Sequence, residues 1–300
     1  GRIFPLINSF EMTDATAYLP VEADLAEMLF VSESTASNSS NYTTSKTGSN
    51  RVTVAAKKFV IHQMWSGELD EDSIIPFVPF LRAQGAKTVA HYADSLVLNG
   101  DTTNAGTGNI NLDDADPADT KHYLAFDGLR HAALVDNTGN ALDAGTLTLA
   151  DLMTLKGYMV DSTYLMDWGH PDNPDDLVFI ADPSTADKIA QLGEVVTVDK
   201  FGPSATVLTG QQARVLGHPL ISSIAMSKTE ADGKVSTTGS NNTLGQVTAF
   251  HRGGFTAGWR RRVQLETERL PASDQTRLVY SLRMGFGRYS PTGAASGIEA

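Results

Sequence analysis

One long helix, predicted within residues 68–101, constrains the fold of this chain more than any other part of its sequence. Acidic residues crowd the start of this segment, where a helix leaves backbone N–H groups unpaired and its dipole favours negative charge. Asp72 or Ser73 can cap the first turn, and Pro76 is tolerated there because the N–H groups of that turn have no helical partner. Pro79 lies deeper, so it should kink the helix or delay its regular part.

Beyond Pro79, apolar residues recur at spacings of three and four, which is typical of one face of a helix. They are Leu81, Gly85, Val89, Tyr92, Ala93 and Leu96. Asn99 and Gly100 follow, and both residue types accept the left-handed conformation that often ends a helix. We therefore predict a helix over residues 73–98, roughly 38 Å long at 1.5 Å per residue.

The composition is that of a folded protein with an acidic balance. The chain has 300 residues, of which 41% are hydrophobic, so wholesale disorder is excluded. Its 35 acidic and 23 basic residues give a net charge of −12, which argues against general binding to nucleic acid or acidic membranes. The absence of cysteine excludes disulfides, thiolate nucleophiles and cysteine-based zinc sites. No apolar run approaches the length that spans a membrane.

Residues 1–30 are interpreted as an N-terminal arm rather than a compact element. Phe4 and Phe10 are among its apolar side chains, but two prolines forbid one continuous helix. The pattern allows a short helix over about 22–29. The apolar residues need a surface to lie on, which either this subunit or a neighbour could supply.

Residues 32–50 form a polar segment in which 14 of the 19 residues are Ser, Thr or Asn. Composition alone allows a disordered loop, because little apolar surface is available to offset the ordering of the backbone. The flanks, 29–31 and 52–54, have strand propensity, and so does 59–65 further on. We interpret the region as a projection of two strands with a polar tip, ordered mainly by contact with something else.

After the long helix, helices alternate with strands and then strands dominate. Thr148 can cap a helix that continues to about Met166, and 177–180 is a short apolar run typical of a buried strand. Further strands are predicted at 246–250, 255–259, 263–268 and 278–287. Val263 and Leu265 alternate with polar residues, as expected for a sheet with one buried face. The predicted fold class is α+β.

Sequence motifs for common chemistries are missing. There is no phosphate loop, dinucleotide fingerprint, zinc-protease motif or nucleophile elbow. His122 and His131 are nine residues apart and fit no single helix face, so a metal site is the less favoured interpretation. The basic run 260–262 is interpreted as a solvated or inter-subunit salt-bridged strand, since Glu266 and Glu268 lie beside it. We expect no catalytic, cofactor-binding or metal-binding residues and no cofactor.

Four short motifs, taken in their order along the chain, resemble those of one protein family. They are Gly67–Ser73 before the long helix, Asn99-Gly100-Asp101 after it, Val215–Leu220, and Leu244–Arg252. With the arm, the projecting loop and the closing strands, they resemble the major capsid proteins of tailed double-stranded DNA bacteriophages. This is the Hong Kong phage coat-protein fold, which is shared with encapsulins.

The resemblance implies a division of the chain into four parts. These are an N-terminal arm (1–30), an extended loop formed by a β-hairpin (31–66), a peripheral domain (67–110 and 244–300, with a spine helix at 73–98) and an α/β axial domain (111–243). The start at Gly1 also resembles a coat protein whose scaffolding segment has been cut away.

The resemblance further implies a structural protein rather than an enzyme. Such a protein self-assembles into pentamers and hexamers of an icosahedral-type shell that encloses double-stranded DNA without reading its sequence. Portal, scaffold or decoration proteins would be further partners, with no membrane. The protein would be located in the virion capsid after assembly in the host cytoplasm.

Candidate inter-subunit contacts follow from the arm, the loop, the helix start and the basic run. They are Phe4, Phe10, Tyr42, Lys46, Arg51, Glu68, Glu71, Arg260 and Arg262.

Two other functions remain open at this point. An encapsulin-type nanocompartment would use the same fold around an enzyme cargo. A secreted carbohydrate-binding or carbohydrate-active protein would explain the Ser, Thr and Asn content, but it should show a carboxylate pair in an aromatic cleft.

Overall fold

The computed structural model describes residues 1–24, 26, 28–31, 48–72, 77–161, 166–192, 213–289 and 294–299. Its helices are α1 (Gly67–Asp72), α2 (Phe77–Asn99), α3 (Leu129–His131), α4 (Leu149–Tyr158) and α5 (Pro183–Gln191). Its strands are β1 (Asn8–Glu11), β2 (Thr16–Asp24), β3 (Gly48–Ala55), β4 (Lys57–Ser66), β5 (Ala141–Gly145), β6 (Val160–Asp161), β7 (Met166–Asp167), β8 (Leu177–Ala181), β9 (Ala213–Val215), β10 (His218–Ser222), β11 (Gly245–His251), β12 (Phe255–Leu270), β13 (Gln275–Arg288) and β14 (Ala294–Glu299). The predicted α+β class is confirmed.

A four-stranded sheet, in the order β1-β12-β13-β4, packs against α2. The long strands β12 and β13 are antiparallel, and β4 pairs with β13 from end to end. The N-terminal strand β1 adds to the other side, parallel to β12, and covers only Thr256–Trp259 of it. Within the described residues, the edge of β12 beyond Trp259 therefore has no pairing strand.

A six-stranded sheet, in the order β5-β14-β11-β8-β10-β9, forms the second layer with α4 and α5. Its centre is β8, which is buried at all five positions, as its apolar run predicted. Strands β11 and β14 belong to this sheet, since β11 pairs with β8 and β14 pairs with β5. The sheet thus crosses the boundary at residue 244 that the resemblance implied. The pairing of β11 with β8 needs residues far apart in sequence, so no local pattern could place it.

Helix α2 carries the predicted apolar stripe. Leu96 is buried, and Gly85 allows the ring of Tyr280 to lie against the helix, where an added Cβ would stand 2.2 Å from a ring carbon. Tyr92 is the exception, because it is 40% exposed. Residues 73–76, where the helix was predicted to start, lie outside the described residues, and Pro79 lies in the first turn of α2 as described from Phe77.

The end of α2 differs from the left-handed cap that was predicted. Gly100 is not among the glycines with positive φ in the described residues. It is needed for a close approach instead: an added Cβ would lie 2.2 Å from the carbonyl oxygen of Phe126. Gly128 faces it, and its N–H donates to the Gly100 carbonyl at 2.8 Å. The two glycines thus allow the backbone at residue 100 and the backbone at residue 128 to approach closely where α2 ends.

The segments before α1 and after Thr148 also depart from the predictions. The helix allowed over 22–29 is wrong, because β2 extends through residue 24 and pairs with β3. The hairpin therefore starts earlier than the predicted loop at residue 31. Thr148 caps α4 through a reciprocal capping box with Asp151, as predicted. However, α4 ends at Tyr158 rather than near Met166.

Candidate assembly surfaces

The N-terminal arm is fastened to α2 by one carboxylate. Asp94, buried in the helix, accepts backbone N–H groups of Arg2 at 2.6 Å, Ile3 at 3.1 Å and Phe4 at 2.9 Å. Ile3 and Ile7 are buried in the same core cluster as the C-terminal half of α2. The first residues of the arm thus lie on their own subunit. Sequence reasoning missed Asp94, because its partners are about ninety positions away.

Both phenylalanines proposed as inter-subunit contacts have partners within their own subunit. Phe4 is partly buried and meets Trp259 edge to face, with ring centroids 5.2 Å apart. Phe10 lies on β1 opposite Gly258, where a Cβ would stand 3.2 Å from its ring. The two rings therefore help to hold the arm in place.

The strand pair β2–β3 carries exposed aromatic and apolar residues. Arg51 is exposed, and its guanidinium carbon lies 4.6 Å from the centre of the Tyr18 ring, which is itself 58% exposed. Met28 and Phe30, beyond β2, are 97% and 98% exposed. Side chains of this size are normally covered, so this segment is a candidate contact surface. Tyr42 and Lys46 lie outside the described residues.

The basic run lies on β12 just past the end of β1, where the register with β13 shifts. Arg262 pairs with Glu11 at 3.0 Å, and both side chains are about three-quarters exposed. Arg260 is exposed, with Nη1 3.5 Å from the carbonyl oxygen of Met12. At the start of α1, Glu68 is exposed, while the side chain of Glu71 lies outside the described residues.

The outer half of β12 does not have the buried face that its alternation predicted. Val263 and Leu265 are 44% and 41% exposed, and residues 262–269 are exposed on both faces. The register with β13 shifts between Trp259 and Gln264, so the strand bulges where it leaves the core. Its free edge and apolar side chains make this half of β12 a second candidate contact surface.

A cavity of about 610 Å³ lies between α2 and the four-stranded sheet. Its lining includes Ile61, Val89, Tyr92, Leu96, His122 and Tyr280. Burial, and secondarily the charges of Lys121 and His91, lowers the pKa of His122 from 6.5 to about 4. The His122 ring lies 4.6 Å from that of Tyr92, and its Nε2 is 3.1 Å from Ser95 Oγ.

Buried polar groups tie the end of α2 to α3 and to two distant loops. The Asn99 side chain donates to the Ala225 carbonyl at 2.6 Å and accepts from Arg130 Nη1 at 2.7 Å. Arg130 Nη2 donates to the Gly233 carbonyl at 2.8 Å. Burial lowers the pKa of Arg130 to about 10, although nearby Asp101 opposes this shift. The Asn-Gly-Asp motif is thus a structural junction.

No protein-family model and no curated protein matches the sequence, whereas solved structures match it over nearly its full length. A structure from Microbacterium phage Oxtober96 is 15% identical, with a TM-score of 0.66, over 99% of this chain and 90% of that chain. One from Mycobacterium phage Ogopogo is 14% identical, with a TM-score of 0.66, over 100% and 92%. The capsid of a native GTA particle is 14% identical, with a TM-score of 0.62, over 99% and 89%.

The chain therefore has the fold of phage major capsid proteins, as the order of its four motifs predicted. Because the sequence identities are only 14–15%, the likeness to these structures establishes the fold alone. In the described residues, no helix is long and apolar enough to cross a membrane.

Proposed function

We propose that this chain is a major capsid protein that assembles into pentamers and hexamers of an icosahedral-type shell around double-stranded DNA. The observation that carries the proposal is the full-length likeness to phage structures and to the GTA capsid, which was computed with C5 symmetry. The comparisons do not favour the encapsulin or carbohydrate-binding alternatives.

The distribution of exposed apolar residues supports assembly. A subunit that tiles a closed shell needs extensions that reach neighbours, and permanent interfaces often bury 2,000 Å² or more, by order of magnitude. The β2–β3 pair with Met28 and Phe30, and the outer half of β12 with Val263, supply such extensions. Arg51, Glu68, Arg260 and Arg262 remain proposed inter-subunit contacts. Tyr42, Lys46 and Glu71 remain proposed contacts as well. Phe4 and Phe10 contribute to assembly indirectly, because they hold the N-terminal arm in place on its own subunit.

Within this proposal the domain division keeps its four parts, but the limits of all four change. The peripheral domain comprises α1, α2 and the four-stranded sheet, including β4 and β1. The axial domain gains β11 and β14, because both strands belong to the six-stranded sheet. The extended loop is built on the β2–β3 pair.

The role of the shell is structural, and we propose no enzymatic activity. A net charge of −12 disfavours tight binding of the shell to packed DNA, since the affinity of a protein for DNA rises with each phosphate it neutralises. Portal, scaffold or decoration proteins would complete the particle, which would assemble in the host cytoplasm and become the virion capsid.

Light scattering of the purified protein tests this proposal. We expect species of capsomer mass or larger, in proportions that change with concentration and salt. A variant with Val263→Asp and Leu265→Asp should shift the distribution towards monomer, whereas Asp143→Asn, an exposed substitution on β5, should not. A strictly monomeric protein under all conditions would contradict the proposal.

A further inference from the structure

A histidine and three carboxylates meet where α2 ends and α3 begins. The imidazole of His131 faces Asp101, Asp127 and Asp136. His131 is 6% exposed and Asp101 is fully buried, whereas the Asp127 side chain is 34% exposed. This cluster lies outside the candidate contact surfaces, and an inference about it is independent of capsid assembly.

The two nitrogens of the His131 ring have different surroundings. Nδ1 lies 2.8 Å from Asp136 Oδ2, and Asp136 is in turn paired with Arg288. A carboxylate on one ring nitrogen fixes the tautomer and leaves the other nitrogen to act as a ligand. Nε2 lies 3.5 Å from Asp101 Oδ1 and 3.8 Å from Asp127 Oδ1. Both distances exceed the 2.7–3.2 Å of an N–H···O hydrogen bond. Nε2 thus faces two carboxylates at ion-pair distance, beyond the length of a hydrogen bond.

The shorter distance, from Nε2 to Asp101 Oδ1, matches the spacing of ligands around a metal ion. Zinc binds nitrogen and oxygen at about 2.0–2.2 Å, so two ligands of a tetrahedral site are roughly 3.4 Å apart. Asp101 accepts the N–H groups of Thr103 and Ile110, one on each oxygen, and each carboxylate oxygen has a second lone pair. Asp127 Oδ1 accepts both the N–H and the hydroxyl of Thr102, which leaves its Oδ2 for an ion.

The charges around the cluster also favour a cation. Three carboxylates face two guanidinium groups: Arg288, which pairs with Asp136, and Arg130, whose charge acts on Asp101. Both Nη groups of Arg130 donate to neutral partners, so it does not neutralise Asp101 by direct contact. A buried charge is costly unless it is paired or bound to a metal. The group is therefore net negative, which favours a cation next to Nε2.

We propose that Asp101, Asp127 and His131 bind a divalent transition-metal ion, with Zn²⁺ as the best match. These three side chains each offer one ligand atom, and the three atoms lie within 4.8 Å of one another. Imidazole suits Zn²⁺, whereas Mg²⁺ and Ca²⁺ prefer oxygen ligands. Asp136 positions the ring, and the partly exposed Asp127 gives the ion a path from solvent. The bound ion ties the end of α2 to α3.

Metal analysis of the whole protein tests the site. The protein is treated with a chelator, desalted, given Zn²⁺ or Mg²⁺, and analysed for retained metal after gel filtration. We expect stoichiometric zinc and little magnesium. Asp127→Asn keeps an oxygen for Thr102 and should fold, but it should weaken zinc binding by at least about tenfold. Asp136→Asn should weaken it by about 10–100-fold as a positioning variant. The exposed control Asp116→Asn should bind like the unchanged protein.

Two results would overturn the proposal. One is a folded protein that retains no zinc. The other is equal zinc retention in Asp127→Asn, His131→Gln and the unchanged protein, with folding verified by circular dichroism. Either result would show that the cluster binds no metal ion and only joins the end of α2 to α3.

Discussion

At the scale of single residues, Asp94 fixes the start of the N-terminal arm on helix α2. One buried carboxylate accepts three backbone N–H groups of the arm, so the arm needs no strand or helix partner at that point. Ile3 and Ile7 then reach the core between α2 and the sheets.

Asp94→Ala should release the arm, because it leaves the N–H groups of residues 2–4 without their acceptor. We expect a loss of about 1–3 kcal/mol in the free energy of unfolding. Hydrogen exchange at the amides of Ile3 and Phe4 should become much faster. Asp172→Ala, which removes an exposed carboxylate elsewhere, should change neither quantity. Unchanged exchange at Ile3 in Asp94→Ala would show that the apolar contacts alone hold the arm.

Substitution of two helical glycines by alanine should change the stability of the protein in opposite directions. A Cβ on Gly85 would lie 2.2 Å from the Tyr280 ring, whereas Gly157 in α4 has nothing within 4 Å of its Cβ position. Gly85→Ala should therefore destabilise the protein despite the better helix propensity of alanine. Gly157→Ala should stabilise it by up to about 1 kcal/mol. Urea unfolding measures both, and a gain in stability from Gly85→Ala would show that Tyr280 does not pack against α2.

At the scale of elements, the cavity between α2 and the four-stranded sheet makes stability depend on pH. Burial lowers the pKa of His122 to about 4, so the unfolded chain binds more protons than the folded one between about pH 4 and 6.5. The stabilisation from neutral His122 is complete above pH 6.5 and is lost as the pH falls towards 4. Burial also lowers the pKa values of His218 and His251, which contribute in the same direction.

His122→Phe keeps a ring against Tyr92 and removes this titration. The slope of unfolding free energy against pH should become shallower between pH 4 and 6.5, without vanishing. His62→Gln, a change at an exposed position on β4, should leave the slope unchanged. If His122→Phe has the slope of the unchanged protein, His122 is not buried in its neutral form.

The β2–β3 pair should be accessible in free subunits and covered after assembly. Arg51 is exposed, so trypsin should cut after it rapidly in capsomers and slowly in shells. Arg51→Gln should remove this fragment and thereby verify the cleavage site. Equal rates of cutting in both states would mean that the pair makes no contact with a neighbouring subunit.

Sequence reasoning predicted correctly those features whose sequence signal lies within a single helix or strand. The stripe of α2, the buried strand β8 and the Thr148 cap all depend on spacings of a few residues. Features that join distant segments were missed, such as the bonds of Asp94 and the pairing of β11 with β8. Strand β2 was also missed; it accommodates Pro20 because both strands of a two-stranded sheet are edge strands, where proline is tolerated.

At the scale of the whole molecule, one subunit leaves large apolar side chains uncovered on two extensions. Phe30 on one extension is 98% exposed, and Leu265 on the other is 41% exposed next to the exposed Val263. The core, by contrast, is continuous from the arm through α2 to both sheets. A rigid body with uncovered extensions is suited to tiling a surface with copies of itself.

Negative-stain electron microscopy of the purified protein tests this central claim most directly. The account predicts rings of five or six subunits and closed shells of uniform curvature, at neutral pH and moderate salt. Val263→Asp combined with Leu265→Asp should reduce the number of closed shells relative to Asp143→Asn. A field of single compact particles of 32.1 kDa, unchanged at high protein concentration, would contradict the account.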